Sequence, residues 1–98
     1  MLYDYYLKFN NVDEFNTLNL KDGPSLSISI DIPIMKETGE VKEDDYGNQY
    51  PVYKQVDGYF VNLRSRTRLD ELDMYFADAN TYQQQFAGDA TYINNVKV

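Results

Sequence analysis

A strictly alternating segment in the first third of the chain constrains the fold most. Residues 25–35 read SLSISIDIPIM, with an apolar residue at every second position from 26 to 34. Successive side chains of a β-strand point to opposite faces, so this period predicts one strand with a buried face and a hydrated face. Pro33 places the strand at a sheet edge or near a bulge, because proline cannot donate a hydrogen bond to the ladder.

Three further segments have strand patterns, at residues 2–9, 50–56 and 59–64. In the first of them, Tyr3, Tyr5, Leu7 and Phe9 share one face. We expect the opposite face, with Asp4 and Tyr6, to be hydrated. Short helices are predicted over residues 12–20, with Asn11 as the N-cap, and over residues 68–76. Phe15 and Leu18, three positions apart, would cover the sheet.

The stretch between residues 35 and 49 is charged and rich in turn signals, at Thr38-Gly39 and at residues 45–48. It is interpreted as a long, acidic, exposed hairpin arm. Residues 82–86 favour a short strand, and residues 88–98 are expected to form a tail that becomes ordered on a partner. Together these patterns predict a single small α+β domain over residues 1–98. Its mostly antiparallel sheet would have four to five strands, with one or two short helices on one face.

The chain of 98 residues contains no histidine, cysteine or tryptophan. Without histidine or cysteine it has neither the side chain that titrates near neutral pH nor a thiolate. The carboxylates of residues 37–45 do not fit the frame of a calcium loop. We therefore predict a protein that is not an enzyme, with no catalytic residues, no cofactor and no metal site. The net charge of −7 disfavours direct binding to nucleic acid or to an anionic membrane.

Ten tyrosines and five phenylalanines are unusual in so short a chain, and aromatic rings are frequent at protein interfaces. The candidate aromatic interaction residues are Tyr46, Tyr50, Tyr53 and Phe60. Alternation in residues 59–64 points Phe60 away from the core, so either a helix covers it or it marks an interface. A second candidate group is the run of Arg64, Arg66 and Arg68, which would bind a partner's carboxylates or phosphate. Pairing of these arginines with acidic neighbours such as Asp70 is the alternative.

The middle of the chain carries a distinctive series of short motifs. They are Thr38-Gly39-Glu40, Gly47-Asn48, Pro51-Val52-Tyr53 and Gly58-Tyr59-Phe60-Val61-Asn62-Leu63-Arg64. This series resembles a group of small tailed-phage proteins of unassigned function, whose pattern is TGE, GN, PVY and GWHVNLR. The resemblance covers residues 30–64, and Tyr59 and Phe60 replace the usual tryptophan and histidine. It implies a viral setting, and no role of that histidine transfers to this chain.

The resulting functional hypothesis is a non-enzymatic bacteriophage protein that acts by protein–protein contact, as a minor virion component associated with the capsid or tail. Its partners would be phage or host protein subunits, including further copies of itself, reached by sheet extension and aromatic anchoring. The expected location is the virion or the host cytoplasm. The alternative is a small acidic inhibitor of a host nucleic-acid-handling complex that mimics phosphate. A hydrolase based on carboxylates ranks last.

Overall fold

The computed structural model describes residues 1–20, 23, 25–78, 82, 86 and 90–98. Its elements are, in chain order, β1 (Tyr3–Phe9), α1 (Val12–Asn16), β2 (Ser25–Ser29), β3 (Met35–Glu43), β4 (Gln49–Gln55), β5 (Tyr59–Ser65), a 3-10 helix (Asp70–Tyr75), β6 (Tyr92–Ile93) and β7 (Val96–Lys97). Five strands form one sheet in the order β2-β5-β1-β6-β7, and β3 and β4 form a separate hairpin. All pairings are antiparallel except that of β1 with β6. The predicted α+β class, with a mostly antiparallel sheet, is confirmed.

One face of the five-stranded sheet carries the larger core. The inward residues of β1 and β5 follow the predicted alternation, and they are Tyr5, Leu7, Phe9, Val61 and Leu63. Phe15 of α1 and Leu72 of the 3-10 helix cover them, so both helices lie on one face. The Asn11 cap is also confirmed, because its Oδ1 accepts a hydrogen bond from the Glu14 backbone N–H at 3.0 Å.

The opposite face is buried as well, so the expectation of a hydrated face on β1 is wrong. Tyr6 is covered by the ring of Tyr82, which stacks on it with centroids 4.5 Å apart. Asp4 is 1% exposed and pairs in a bidentate manner with Arg64 of β5, at 2.7 and 2.9 Å. The Arg64 guanidinium in turn lies 4.9 Å from the centroid of the Phe86 ring.

The alternating segment 25–35 is not one strand, which corrects the most distinctive sequence prediction. β2 ends at Ser29, and Asp31 has a left-handed backbone conformation with φ of 52°. Beyond it the chain crosses to the second face, where the Ile32 N–H donates to the Phe60 carbonyl at 3.0 Å and Ile34 is buried. The apolar row is thus divided: Ile28 packs on the first core and Ile34 on the second, while Leu26 is 51% exposed.

The C-terminal residues pair with the same chain. β6 adds to β1 in parallel, and Asn94 and Asn95, both with positive φ, turn the chain into β7. The Asn94 side chain accepts from the Tyr6 N–H at 2.8 Å and donates to the Tyr6 carbonyl at 3.3 Å. Residues 92–97 of the predicted partner-dependent tail therefore form a hairpin on their own domain. Residues 88 and 89, and most of the strand predicted at 82–86, lie outside the described residues.

We expect Asp4→Asn to lower the free energy of unfolding by about 3 kcal/mol, because it removes the buried carboxylate charge that pairs with the mostly buried Arg64 guanidinium. Urea denaturation followed by circular dichroism measures this. Asp70→Asn is the matched control: it removes the Arg68–Asp70 ion pair, whose side chains are 51% and 73% exposed, and should leave the midpoint unchanged. Equal midpoint shifts in the two variants would contradict the assignment.

Candidate interaction surface

The hairpin of β3 and β4, here called the arm, stands outside both cores. In the described part of the chain these strands pair with each other and with no strand of the larger sheet. Every residue of β3 is exposed, and in β4 only Val52 is partly buried. The radius of gyration of 16.1 Å exceeds the roughly 13 Å of a compact chain of this length. The predicted exposed hairpin is confirmed, and its three lysines and five acidic residues give it a net charge of −2.

Asp44 organises the turn at the tip of the arm. Its carboxylate Oδ1 accepts hydrogen bonds from the backbone N–H groups of Tyr46 and Asn48, both at 2.9 Å. Both bonds lower the pKa of the Asp44 carboxyl from its ordinary value of 3.8, and the bond from Asn48 contributes more than the bond from Tyr46. The turn projects Tyr46 into solvent with 90% of its surface exposed.

Gly39 lies in a bulge and not in a turn, which corrects the sequence prediction for Thr38-Gly39. The register shifts between Glu37 and Val41, and Gly39 has φ of 85°. The Thr38 hydroxyl fastens the bulge: it donates to the Val52 carbonyl at 3.1 Å and accepts from the Glu40 N–H at 3.2 Å. The bulge interrupts the free edge of β3.

The free edge of β4 is interrupted by proline. The Asp44 N–H donates to the Asn48 carbonyl at the tip, and the Val56 N–H donates to the Ile34 carbonyl at the root. The backbone N–H and C=O groups of even-numbered residues in β4 therefore point toward β3, and those of odd-numbered residues point to the free edge. Pro51 is odd-numbered, so its nitrogen lies at the free edge and offers no N–H donor there. β2, at one edge of the larger sheet, has its own bulge between Ser25 and Ser27. Such interruptions protect a strand against addition of another strand, so the faces of the arm are better suited to binding than its edges.

The two faces of the arm differ in charge. Directly paired residues share a face, as do alternate residues of a strand. The face called here the lysine face carries Lys36, Lys42, Tyr50, Val52 and Lys54. The opposite one, called the glutamate face, carries Met35, Glu37, Val41, Glu43, Gln49, Pro51, Tyr53 and Gln55. Glu40 lies in the bulge without a cross-strand partner. The lysine face was not predicted from the sequence, although all three lysines occupy even positions.

The aromatic candidates fall into two groups. Tyr46, Tyr50 and Tyr53 are exposed on the arm, at its tip and on its two faces. Phe60 is only 2% exposed, so it is part of the second core and is not available to a partner. Among the described residues, Ile34 and Ala77 cover it, and both lie outside the helices.

The arginine candidates do not form a common stripe. Arg64 pairs with Asp4 inside the fold. Arg68 donates to Asp70 at 2.6 Å, which is the pairing with an acidic neighbour that the sequence offered as the alternative. Arg66 is exposed. β5 ends at Ser65, so the extended backbone that would align the three side chains is lost.

A shallow cleft of about 400 Å³ lies at the root of the arm. Its lining residues are Lys36, Glu37, Thr38, Lys54, Gln55, Val56 and Asp57. Six of these seven residues are polar or charged, and the charges are of both signs. In the described residues, no group of three or more acidic side chains is placed to hold a metal ion. Nor does any helix there have the length and apolar character needed to cross a membrane.

Comparison of the chain with protein-family models, with curated proteins and with solved structures finds no match in any of the three.

We expect Phe60→Ala to destabilise the fold by about 3 kcal/mol, because it opens a cavity in the second core. Tyr53→Ala, which truncates an exposed ring of the arm, should change stability by less than about 0.5 kcal/mol. Chemical denaturation measures the free energy of unfolding of both variants, and Phe60→Leu serves as a milder core variant. A stable Phe60→Ala protein would contradict the burial of this ring.

We expect the turn at the tip of the arm to loosen in acid. Because the folded pKa of Asp44 lies below 3.8, the stabilisation is present above that pH and is lost as the pH falls through the folded pKa. Amide chemical shifts of Tyr46 and Asn48 should therefore titrate with a midpoint below 3.8. Asp44→Asn keeps a neutral acceptor and should abolish this titration. A midpoint at or above 3.8 in the native protein would contradict the hydrogen-bonded turn.

Proposed function

We propose that this protein acts without catalysis, by docking its arm onto other proteins, as a minor virion component of a tailed phage. The observation that supports docking most directly is the exposure of Tyr46, Tyr50 and Tyr53 on a hairpin outside both cores. Tyrosine combines a large apolar surface with a hydroxyl group and is enriched among residues that dominate binding energy. The phage setting is supported by the resemblance of residues 30–64.

The structure favours binding through the faces and tip of the arm over sheet extension. Pro51 and the bulge at Gly39 interrupt the two edges of the arm, and a further bulge interrupts β2. Tyr46 at the tip is suited to enter a pocket of the partner, while Tyr50 and Tyr53 would contact surfaces on either side. In this proposal the partners are phage or host subunits, and nucleic acid and membrane are not bound.

Charge placement ranks the phosphate-mimic alternative second. A mimic of a nucleic acid backbone needs carboxylates repeated along one ridge, as phosphates are. The lysine face carries no carboxylate. On the glutamate face Glu37 and Glu43 are six positions apart with Val41 between them, so neither face forms a continuous acidic ridge.

The test is photo-crosslinking in particles purified from the phage that produces this protein. With p-benzoylphenylalanine at position 46, we expect a crosslink from the arm to another particle protein or to a second copy. The same group at position 71 should crosslink far less, because Glu71 is exposed on the body, which is the part of the fold outside the arm. We also expect Tyr46→Ala to reduce incorporation into particles at least about tenfold, as loss of an interface hot spot does. Absence of the chain from particles, or equal crosslinking from both positions, would contradict the proposal.

A further inference from the structure

The lysine face carries an unusual like-charge pair. Lys36 and Lys54 are directly opposite each other in the ladder, an arrangement that destabilises a sheet. Within the described residues, neither these two lysines nor Lys42 forms an ion pair with a carboxylate inside 4.0 Å. In a chain with a net charge of −7, three unpaired ammonium groups on one face of a hairpin define a local site for carboxylates.

The glutamate face repeats the spacing of the lysine face. Lys36 and Lys42 are six positions apart on β3, and so are Glu37 and Glu43. Both intervals contain the same bulge, so its geometry affects the two separations in the same way. When one arm is laid on another in the opposite direction, the two bodies lie at opposite ends of the contact. Glu37 and Glu43 of one copy then come over Lys42 and Lys36 of the other. Glu43 of one copy would then lie over Lys36 and beside Lys54 of the other.

We propose that the lysine face binds the glutamate face of a second copy of this chain, so that arms stack face to face. This inference rests on the proposed function and names a partner for it. Because the contact joins two different faces, each stack keeps one free face at either end and can grow.

Two charge-reversal variants test the stacking. Lys36→Glu with Lys42→Glu makes the lysine face largely acidic, and Glu37→Lys with Glu43→Lys makes the glutamate face basic. In sedimentation velocity over a concentration series into the millimolar range, we expect the native protein to associate. Each variant alone should associate at least about tenfold more weakly, because like charges then face each other across the contact. An equimolar mixture of the two variants should regain native association, since each contact between the two different variants again joins opposite charges.

A third variant controls for net charge. Lys8→Glu with Lys97→Glu changes two exposed lysines outside the arm and lowers the net charge from −7 to −11, as Lys36→Glu with Lys42→Glu does. It should associate like the native protein, and circular dichroism checks that all variants are folded. A native protein that stays monomeric, or variants that fail to complement each other, would overturn the stacking. If in that case position 46 still crosslinks to another particle protein, the proposed function stands and only the identity of the partner is wrong.

Discussion

The burial of β1 on both of its faces is the constraint on which the rest of the structure depends. Tyr5, Leu7 and Phe9 face one core, while Asp4 and Tyr6 face the other side. A chain of 98 residues must therefore cover both sides of one sheet, and it uses α1 and the 3-10 helix for the first side only. The second side takes residues 32–34 and 77, together with the ring of Tyr82. Little apolar material remains for the arm, which is why its two faces stay in solvent.

The second side is held by specific hydrogen bonds because the described residues that cover it lie in irregular segments. Such segments bring polar backbone groups into a buried layer, where each needs a partner. The Ile32 N–H donates to Phe60, the Ala77 N–H donates to Tyr6, and the Asn94 side chain bonds both backbone groups of Tyr6. Asp4 and Arg64 satisfy each other in the same layer. This side of the fold therefore depends on partners that are 28 to 88 positions apart in the chain.

Local patterns predicted the parts of the fold that depend on local physics. Alternation in β1 and β5 identified the inward residues of the first core, Asn11 was recognised as a cap, and charge density identified the arm. The period of two in residues 25–35 could not show that the backbone turns at Asp31, because two short segments covering different faces share the pattern of one long strand. Burial of Asp4 and Phe60 depends on residues distant in sequence. For the interaction surface, the exposure of Tyr46 could be predicted from its turn. The lysine face could not, because only the pairing register of β3 with β4 shows that Lys54 lies on the same face as Lys36 and Lys42.

An isolated two-stranded sheet is marginally stable in water, and the arm has features that lower its stability further. Lys36 and Lys54 repel each other, and Val41, Tyr50 and Tyr53 gain little from burial within a single chain. Its shape is maintained locally by the Asp44 turn and by the Thr38 hydroxyl at the bulge. Any partner that supplies carboxylates to the lysines and covers the tyrosines binds the ordered arm more tightly than a frayed one. Ordering of the arm and docking are therefore thermodynamically linked, and each stabilises the other.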